Sequence, residues 1–407
     1  MMAQKIPSIR CPGFTEPWEQ RRLGDITHRV TRKNDANESE LPLTISAQYG
    51  LVDQRSFFNN QVASKDLSGY YLLHKGEFAY NKSTSDGSPW GAVKRLERYD
   101  KGCVSTLYIC FELDATDPDF LVTYYETDRW YKAVQMVAAE GARNHGLLNI
   151  APDDFFDTML ALPKSCEEQR AIGTLFSRLD SLITLHQREH DRLIDVRTSL
   201  MQKMFPGPGE DTPQIRFSEF SGAWRARKLG DLVTRYDHRV PTPDDGYTRL
   251  GVRSFARGTF LERVPADQAI GETELREVGA NNLIVNIVFA WEQAIAITSE
   301  PDTVALVSHR FPQFSFNEGQ CPAFYRYALL DPRFKHHLWL ASPSGAGRNK
   351  TLRIDEMLDY EILAPDESEQ RAIARFFKNL DQSIEARRRE CDALVHAKSA
   401  LLQKMFV

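Results

Sequence analysis

The stretch "EQRAIGTLFSRLDSLITLHQREHDRLIDVRTSLMQKMF", residues 168–205, returns as "EQRAIARFFKNLDQSIEARRRECDALVHAKSALLQKMF", residues 369–406. The offset is a constant 201, and 18 of 38 positions are identical. A shorter match lies upstream of each copy at an offset of 206, where Ile9, Phe14, Trp18, Leu23, Gly24 and Asp25 correspond to Ile215, Phe220, Trp224, Leu229, Gly230 and Asp231. The chain is therefore two copies of one unit. A period this long marks a domain duplication, far beyond the 20 to 50 residues of a solenoid repeat.

Within each repeated segment apolar residues recur at steps of three and four. The first copy has Ile172, Leu175, Leu179, Leu182, Leu193, Val196 and Leu200, and the second has Ile373, Phe376, Leu380, Ile384, Leu394 and Leu401. Such a narrow stripe is the seam of a coiled coil more than the face of a globular helix. Ser165 and Asp366 stand three residues before Glu168 and Glu369, in the manner of a capping box, and "PGPG" at 206–209 stops the first helix. At 1.5 Å per residue each helix would run about 55 Å. Polar residues break the stripe at matched places, His186 and Glu189 in one copy, Arg387 and Glu390 in the other. Pairing there would set register and orientation.

The remaining residues mix short β-like runs ("STLYICFEL", "NNLIVNIVFAW") with turns and a few helical stretches, which makes the class α+β. The expected order is a globular domain over 1–160, a long helix over 161–205, a linker over 206–214, a second globular domain over 215–365 and a second long helix over 366–407.

At 407 residues, the chain is too long for one ordinary core, in keeping with the duplication. Hydrophobic residues make up 42% and charged residues 26%, and no apolar run approaches the roughly 20 residues that cross a bilayer. The first residues have no apolar secretory core, so a cytoplasmic location is expected. Six cysteines without a CxxC pair read as reduced structural thiols, and no metal set is expected. A net charge of −5 argues against coating nucleic acid by charge alone, but the sum hides any local basic surface.

Catalytic motifs are absent from the sequence. "GAGRNKT" at 345–351 carries the Lys-Thr of a phosphate loop, but Asn349 stands where glycine must precede the lysine. No dinucleotide fingerprint, GxSxG elbow or HExxH helix is present. What both halves share is small basic and amide-rich segments. "WEQRRLGDITHRVTRK" and "WRARKLGDLVTRYDHR" follow the two tryptophans, and Arg143-Asn144 and Arg348-Asn349 precede the two helices. Arginine can chelate guanine, asparagine can chelate adenine, and lysine neutralises phosphate.

The two-copy plan with its "EQRAI…LD…QKMF" helices resembles the specificity subunits of type I restriction-modification enzymes. "GYYLLHKGEFAYNKSTSDGSPWGAVKRL" and "GARNHGLLNIAPDDFF" in the first half are similar to a target-recognition domain of that family. "NNLIVNIVFAWEQAIAIT", "ALVSHRFPQF" and "GAGRNKTLRIDEMLDYEILAP" in the second half look like another.

The resemblance implies two target-recognition domains, each reading half of a split double-stranded DNA sequence, with the two helices packed antiparallel as a ruler. It also implies docking of two methyltransferase subunits and two motor-nuclease subunits. No cofactor is then expected in this chain; S-adenosylmethionine, ATP and Mg²⁺ would belong to the partners. The segments matching the family supply the candidate DNA contacts Gln48, Tyr49, Tyr80, Asn81, Lys82, Ser83, Arg143 and Asn144 in the first half. Those of the second half are Arg253, Arg257, Trp291, Glu292, Arg310, Arg348, Asn349 and Lys350. The competing reading is a coiled-coil scaffold that joins two protein-binding domains and never touches DNA.

Overall fold

A computed structural model describes residues 6–46, 49–58, 64, 66–85, 87–138, 148–268, 274–343 and 350–407. The chain divides into two compact units, and the division does not follow the order of the sequence. One unit comprises Met1–Gln187 together with Arg389–Val407, and the other is Arg188–Arg388. Both boundaries fall inside the long helices, which run over Cys166–Lys203 and Glu367–Met405. Each unit thus combines one globular domain, the start of its own helix and the end of the other copy's helix.

In the first unit a four-stranded antiparallel sheet runs in the order Thr27–Val30, Ile109–Leu113, Phe78–Asn81, Ala92–Arg95. In the second unit the same order appears as Val233–Tyr236, Gln313–Phe316, Asn282–Val285, Ile295–Ile297. The central strands are buried on both faces. Phe78, Tyr80 and Phe111 enter one core cluster while Ala79 and Cys110 enter another, as the two-residue alternation of a strand requires. Phe78 and Phe111 are direct cross-strand partners, with rings stacked 5.2 Å apart.

A two-stranded ribbon in each unit, Glu19–Arg22 with Met159–Leu162 and Arg225–Lys228 with Glu361–Ala364, brings the start of the domain beside the start of its helix. Beyond these shared parts the copies differ. The second unit adds a five-stranded sheet that includes the hairpin Tyr247–Val252 and Thr259–Val264, where the first has two separate ribbons.

The helix starts show why "EQ" recurs. Ser165 receives the Glu167 and Glu168 N–H groups on its hydroxyl at 3.2 and 3.4 Å, so it does cap the helix. The Glu168 carboxylate, however, does not reach back to the cap as a capping box would. It accepts Nε and Nη2 of Arg10 at 2.7 and 2.8 Å and faces the Trp18 indole N–H. Glu369 accepts Nε and Nη2 of Arg216 in the same way, at 2.7 Å each. Next along the helix, Gln169 donates to the Pro163 carbonyl and accepts from the Asp117 N–H, while Gln370 does so with Pro365 and Cys321. A buried carboxylate beside a guanidinium offsets its desolvation, and two buried backbone groups gain partners.

The repeated "QKMF" closes the cores. Phe406 packs against Trp18, Phe120 and Phe176 with ring centroids 5.6–6.0 Å apart. Phe205 packs against Trp224, Phe324 and Phe377 at 5.6–6.1 Å. The Ile9 N–H reaches the Lys404 carbonyl and the Ile215 N–H reaches the Lys203 carbonyl, so each domain's first residues hold the incoming helix end.

Within each unit the two helix segments run antiparallel. In the first unit Lys398 pairs with Asp180 and Glu390 lies beside His186. In the second, Arg197 pairs with Asp381 and Glu189 with Arg387. The observed seam differs from the stripe read off the sequence. The seam, fully buried at its ends and half-buried between, runs through Ile172, Phe176, Leu179, Ile183, His186, His190, Leu193, Arg197, Leu200 and Met204. The matching positions of the second helix are Ile373, Phe377, Leu380, Ile384, Arg387, Cys391, Leu394, Lys398, Leu401 and Met405. Steps of four and three alternate throughout, the 3.5-residue period of a coiled coil. Leu182 and Val196, expected in the seam, are 43% and 40% exposed. Leu175 and Phe376 flank the seam, half-buried against the globular cores. The middle of the seam is polar, so an apolar count slides onto outward-facing neighbours.

Candidate nucleic-acid interface

In each unit the third sheet strand leads into a loop, residues 82–91 in the first copy and 286–294 in the second. Both loops are held by the segment that precedes the long helix. The Leu148 N–H donates to the Lys82 carbonyl at 3.0 Å, and the Leu352 N–H to the Ile287 carbonyl at 2.9 Å. The equivalence places the two loops at corresponding sites of the fold.

In the first copy's loop Gly91 has φ +80°, and a Cβ there would lie 2.2 Å from the Asn81 carbonyl oxygen, so only glycine lets the loop fold back on its own strand. Asn81 turns the chain by accepting the Ser83 N–H at 3.0 Å, which leaves Ser83 exposed. The Lys82 ammonium donates to the Ile150 carbonyl at 3.3 Å, and burial pushes its pKa below the ordinary lysine value. Tyr49, at the turn of a separate hairpin, is 52% exposed.

Tyr80 is a correction to the expected contacts. It has no exposed surface, stacks on Phe155 at 4.4 Å and donates its hydroxyl to the Trp90 carbonyl at 2.8 Å. Its strand position turns it into the core, where no duplex reaches it. Gln48, Arg143, Asn144, Arg348 and Asn349 lie outside the described residues.

The second copy brings together more of its candidates. The hairpin loop 253–258 folds onto the 286–294 loop through two backbone bonds, Phe255 N–H to the Glu292 carbonyl and Ala256 N–H to the Gln293 carbonyl, each 2.8 Å. Glu292 also accepts the Ser254 hydroxyl at 2.6 Å, so its carboxylate ties loop to loop. Arg253 lies over the Phe260 ring at 4.9 Å and donates to the Thr259 carbonyl. Arg257 lies over Phe255 at 5.7 Å. Lys350 lies between Trp291 and Trp339, 5.0 and 4.9 Å from their ring centroids. Arg310 is exposed, and its carbonyl accepts the Ile287 N–H at 3.1 Å.

Phe255, Lys335 and Trp339 belong to this face and escaped the sequence reading. Lys335 lies 4.8 Å from the Phe255 ring centroid, and Phe255 and Trp339 are 54% and 49% exposed. The available signal was "RSFARG", residues 253–258, an aromatic side chain interleaved with arginines in a turn. The result is a surface of cations on aromatic faces, suited to phosphate neutralisation and to contact with bases. Beside the hairpin is a cavity of about 280 Å³ bordered by Arg257, Arg326 and Asp302. Asp302 is occupied by the Ser299 N–H, the Ser299 hydroxyl and the Thr259 hydroxyl, all within 2.9 Å. Among the described residues no three His, Cys, Asp or Glu side chains converge as metal ligands. No helix among them is long and apolar enough to cross a membrane.

No protein-family model matches the chain. It is 22% identical to the type I restriction enzyme MjaVIII specificity subunit of Methanocaldococcus jannaschii, over 98% of this chain and 93% of that protein. The fold matches the S subunit of a type I restriction-modification system from M. genitalium with a TM-score of 0.57 at 13% identity, covering 98% and 99% of the two chains. A chain from a type I restriction-modification system, solved in work on complex assembly and conformational transition, matches with a TM-score of 0.50 at 14% identity, covering 98% of each. The resemblance to type I specificity subunits that the helix repeat indicated therefore extends over essentially the whole chain, and the α+β fold with tandem domains is theirs.

Proposed function

We propose that this chain is the DNA-recognition and scaffold subunit of a type I restriction-modification assembly, and that it carries no bond-making residue of its own. The observation that carries the reading is the whole-length similarity to specificity subunits. The cationic and aromatic face of the second unit agrees with it. Each unit reads one half of a bipartite duplex site, and the two continuous helices set the distance between the halves. Outward-facing apolar positions such as Leu182 and Val196 offer surface to two methyltransferase subunits, and two motor-nuclease subunits complete the assembly. S-adenosylmethionine, ATP and Mg²⁺ act in those partners.

The test is selection from a randomised duplex library by the full chain together with an adenine methyltransferase subunit. The expected outcome is a split motif with a spacer of one length, because a rigid pair of helices fixes both distance and rotation along the duplex. Binding should weaken steeply with salt, since phosphate contacts release counterions. Partner assembly without any sequence selection would instead favour a scaffold that leaves DNA alone.

A further inference from the structure

Phe255 occupies the tip of the 253–258 hairpin, more than half exposed at 54%. Exposure of this degree is shared with other apolar side chains of the protein, such as Leu107 and Val304; what sets Phe255 apart is its backbone and its neighbours. Phe255 and Ala256 have φ values of +61° and +49°, the left-handed region that side chains other than glycine rarely enter. Conformations of this kind persist where surrounding structure over-determines them, and they gather at ligand clamps. Here the backbone bonds to Glu292 and Gln293 and the hydroxyl bond from Ser254 supply that constraint. The ring is held outward by design of the loop.

Its neighbours indicate what it meets. Arg257 and Lys335 lie 5.7 and 4.8 Å from the ring centroid, and Lys350 continues the positive charge over the adjacent tryptophans. An apolar ring framed by cations complements a polyanion that offers an apolar group between its charges. On the edge of duplex DNA that group is the C5-methyl of thymine, the one methyl that projects into the major groove; the oxygens, amino groups and ring nitrogens beside it are donors or acceptors that a phenyl ring would only desolvate. Resting on the recognition function proposed above, we infer that Phe255 is a specificity-determining residue that reads one thymine of the half-site bound by the second unit, through contact with its methyl group. Arg257 and Lys335 turn from the ring to the flanking phosphates.

The test removes one methyl group from the DNA. Once the full chain and its methyltransferase subunit have selected a site, each thymine in turn is replaced by uracil, which pairs identically. One replacement should weaken wild-type binding about four-fold, the worth of one buried methyl. Phe255→Gln should bind the thymine and uracil duplexes equally, with selection at the other base pairs unchanged, and Phe255→Leu should keep part of the discrimination. Wild-type binding indifferent to uracil everywhere, or a Phe255→Gln variant with undiminished uracil sensitivity, overturns the thymine contact while leaving the recognition function intact. Loss of subunit assembly by Phe255→Gln in the absence of DNA would also overturn it, by making the ring a protein contact. If the wild type selects no sequence, the recognition reading itself fails.

Discussion

The helix starts and the loops beyond the central sheets were built from the same duplication and have had different fates. At the helix starts, Arg10–Glu168 and Arg216–Glu369 are superimposable in kind, each with a closest approach of 2.7 Å and a carboxylate almost wholly buried. At the exposed end, a loop that folds back on its own strand at Gly91 in one unit corresponds to a loop in the other that is roofed by the 253–258 hairpin. The contrast follows from what each region must satisfy. A buried carboxylate tolerates one partner geometry, whereas a surface loop, once tied to the segment before its helix, can change its remaining contacts with what it binds.

Breaking the shared part should give a loss confined to one unit at a time, and hydrogen exchange resolved by residue can read each separately. The largest effect is expected for Phe406→Ala. Removing a fully buried ring costs about 4 kcal/mol, and the loss of protection should fall in the N-terminal domain although the substitution lies at the C-terminus. Phe205→Ala should do the same to the second unit, by less because that ring is only partly buried. Equal loss in both units from either variant would contradict the exchange of helix ends.

Next come Glu168→Ala and Glu369→Ala. Each leaves a mostly buried guanidinium without its carboxylate, a change worth about 3 kcal/mol. Chemical denaturation should show similar values for the two; a large inequality would mean that the clamps are alike in geometry and unlike in energy.

The seam register is tested by neighbours. Ile183→Ala should cost about 2 kcal/mol, while Leu182→Ser should stay within about 0.5 kcal/mol. The reverse order would restore the register suggested by apolar spacing alone.

The smallest effect separates the units by pH. Burial lowers the Lys398 pKa, but the carboxylates of Glu126 and Asp180 outweigh it, so the net position is above the ordinary 10.5. A lysine with a raised folded-state pKa contributes stability that is complete below the unfolded value and disappears as pH rises through the folded one. The first unit should therefore lose stability above pH 10.5. The matching position of the second helix pairing is Arg197, and arginine keeps its charge across that range. Lys398→Arg should flatten the alkaline loss in thermal melts of the first unit, and an unchanged slope would remove the pair from the account.

The duplication, the two helices, their period and the α+β class were legible because each is written locally. A repeat is seen by alignment, and a 3.5-residue stripe lies within one segment. "QKMF" appears twice because two cores each need a methionine and a phenylalanine at the end of a helix. Which core receives which end was decided by the tertiary structure, since no local pattern says that Phe406 joins Trp18. The same holds for Glu168, which by spacing is a capping residue and in the fold is the partner of Arg10, 158 positions away. Tyr80 looked available because its segment is rich in polar residues, yet strand alternation and the arrival of Phe155 bury it. Phe255 became visible only when the hairpin was seen to be pinned by Glu292 and Gln293. Periodicity reports which side of a segment is apolar; burial depends on which distant surface arrives to cover it, and that is a property of the whole chain's packing.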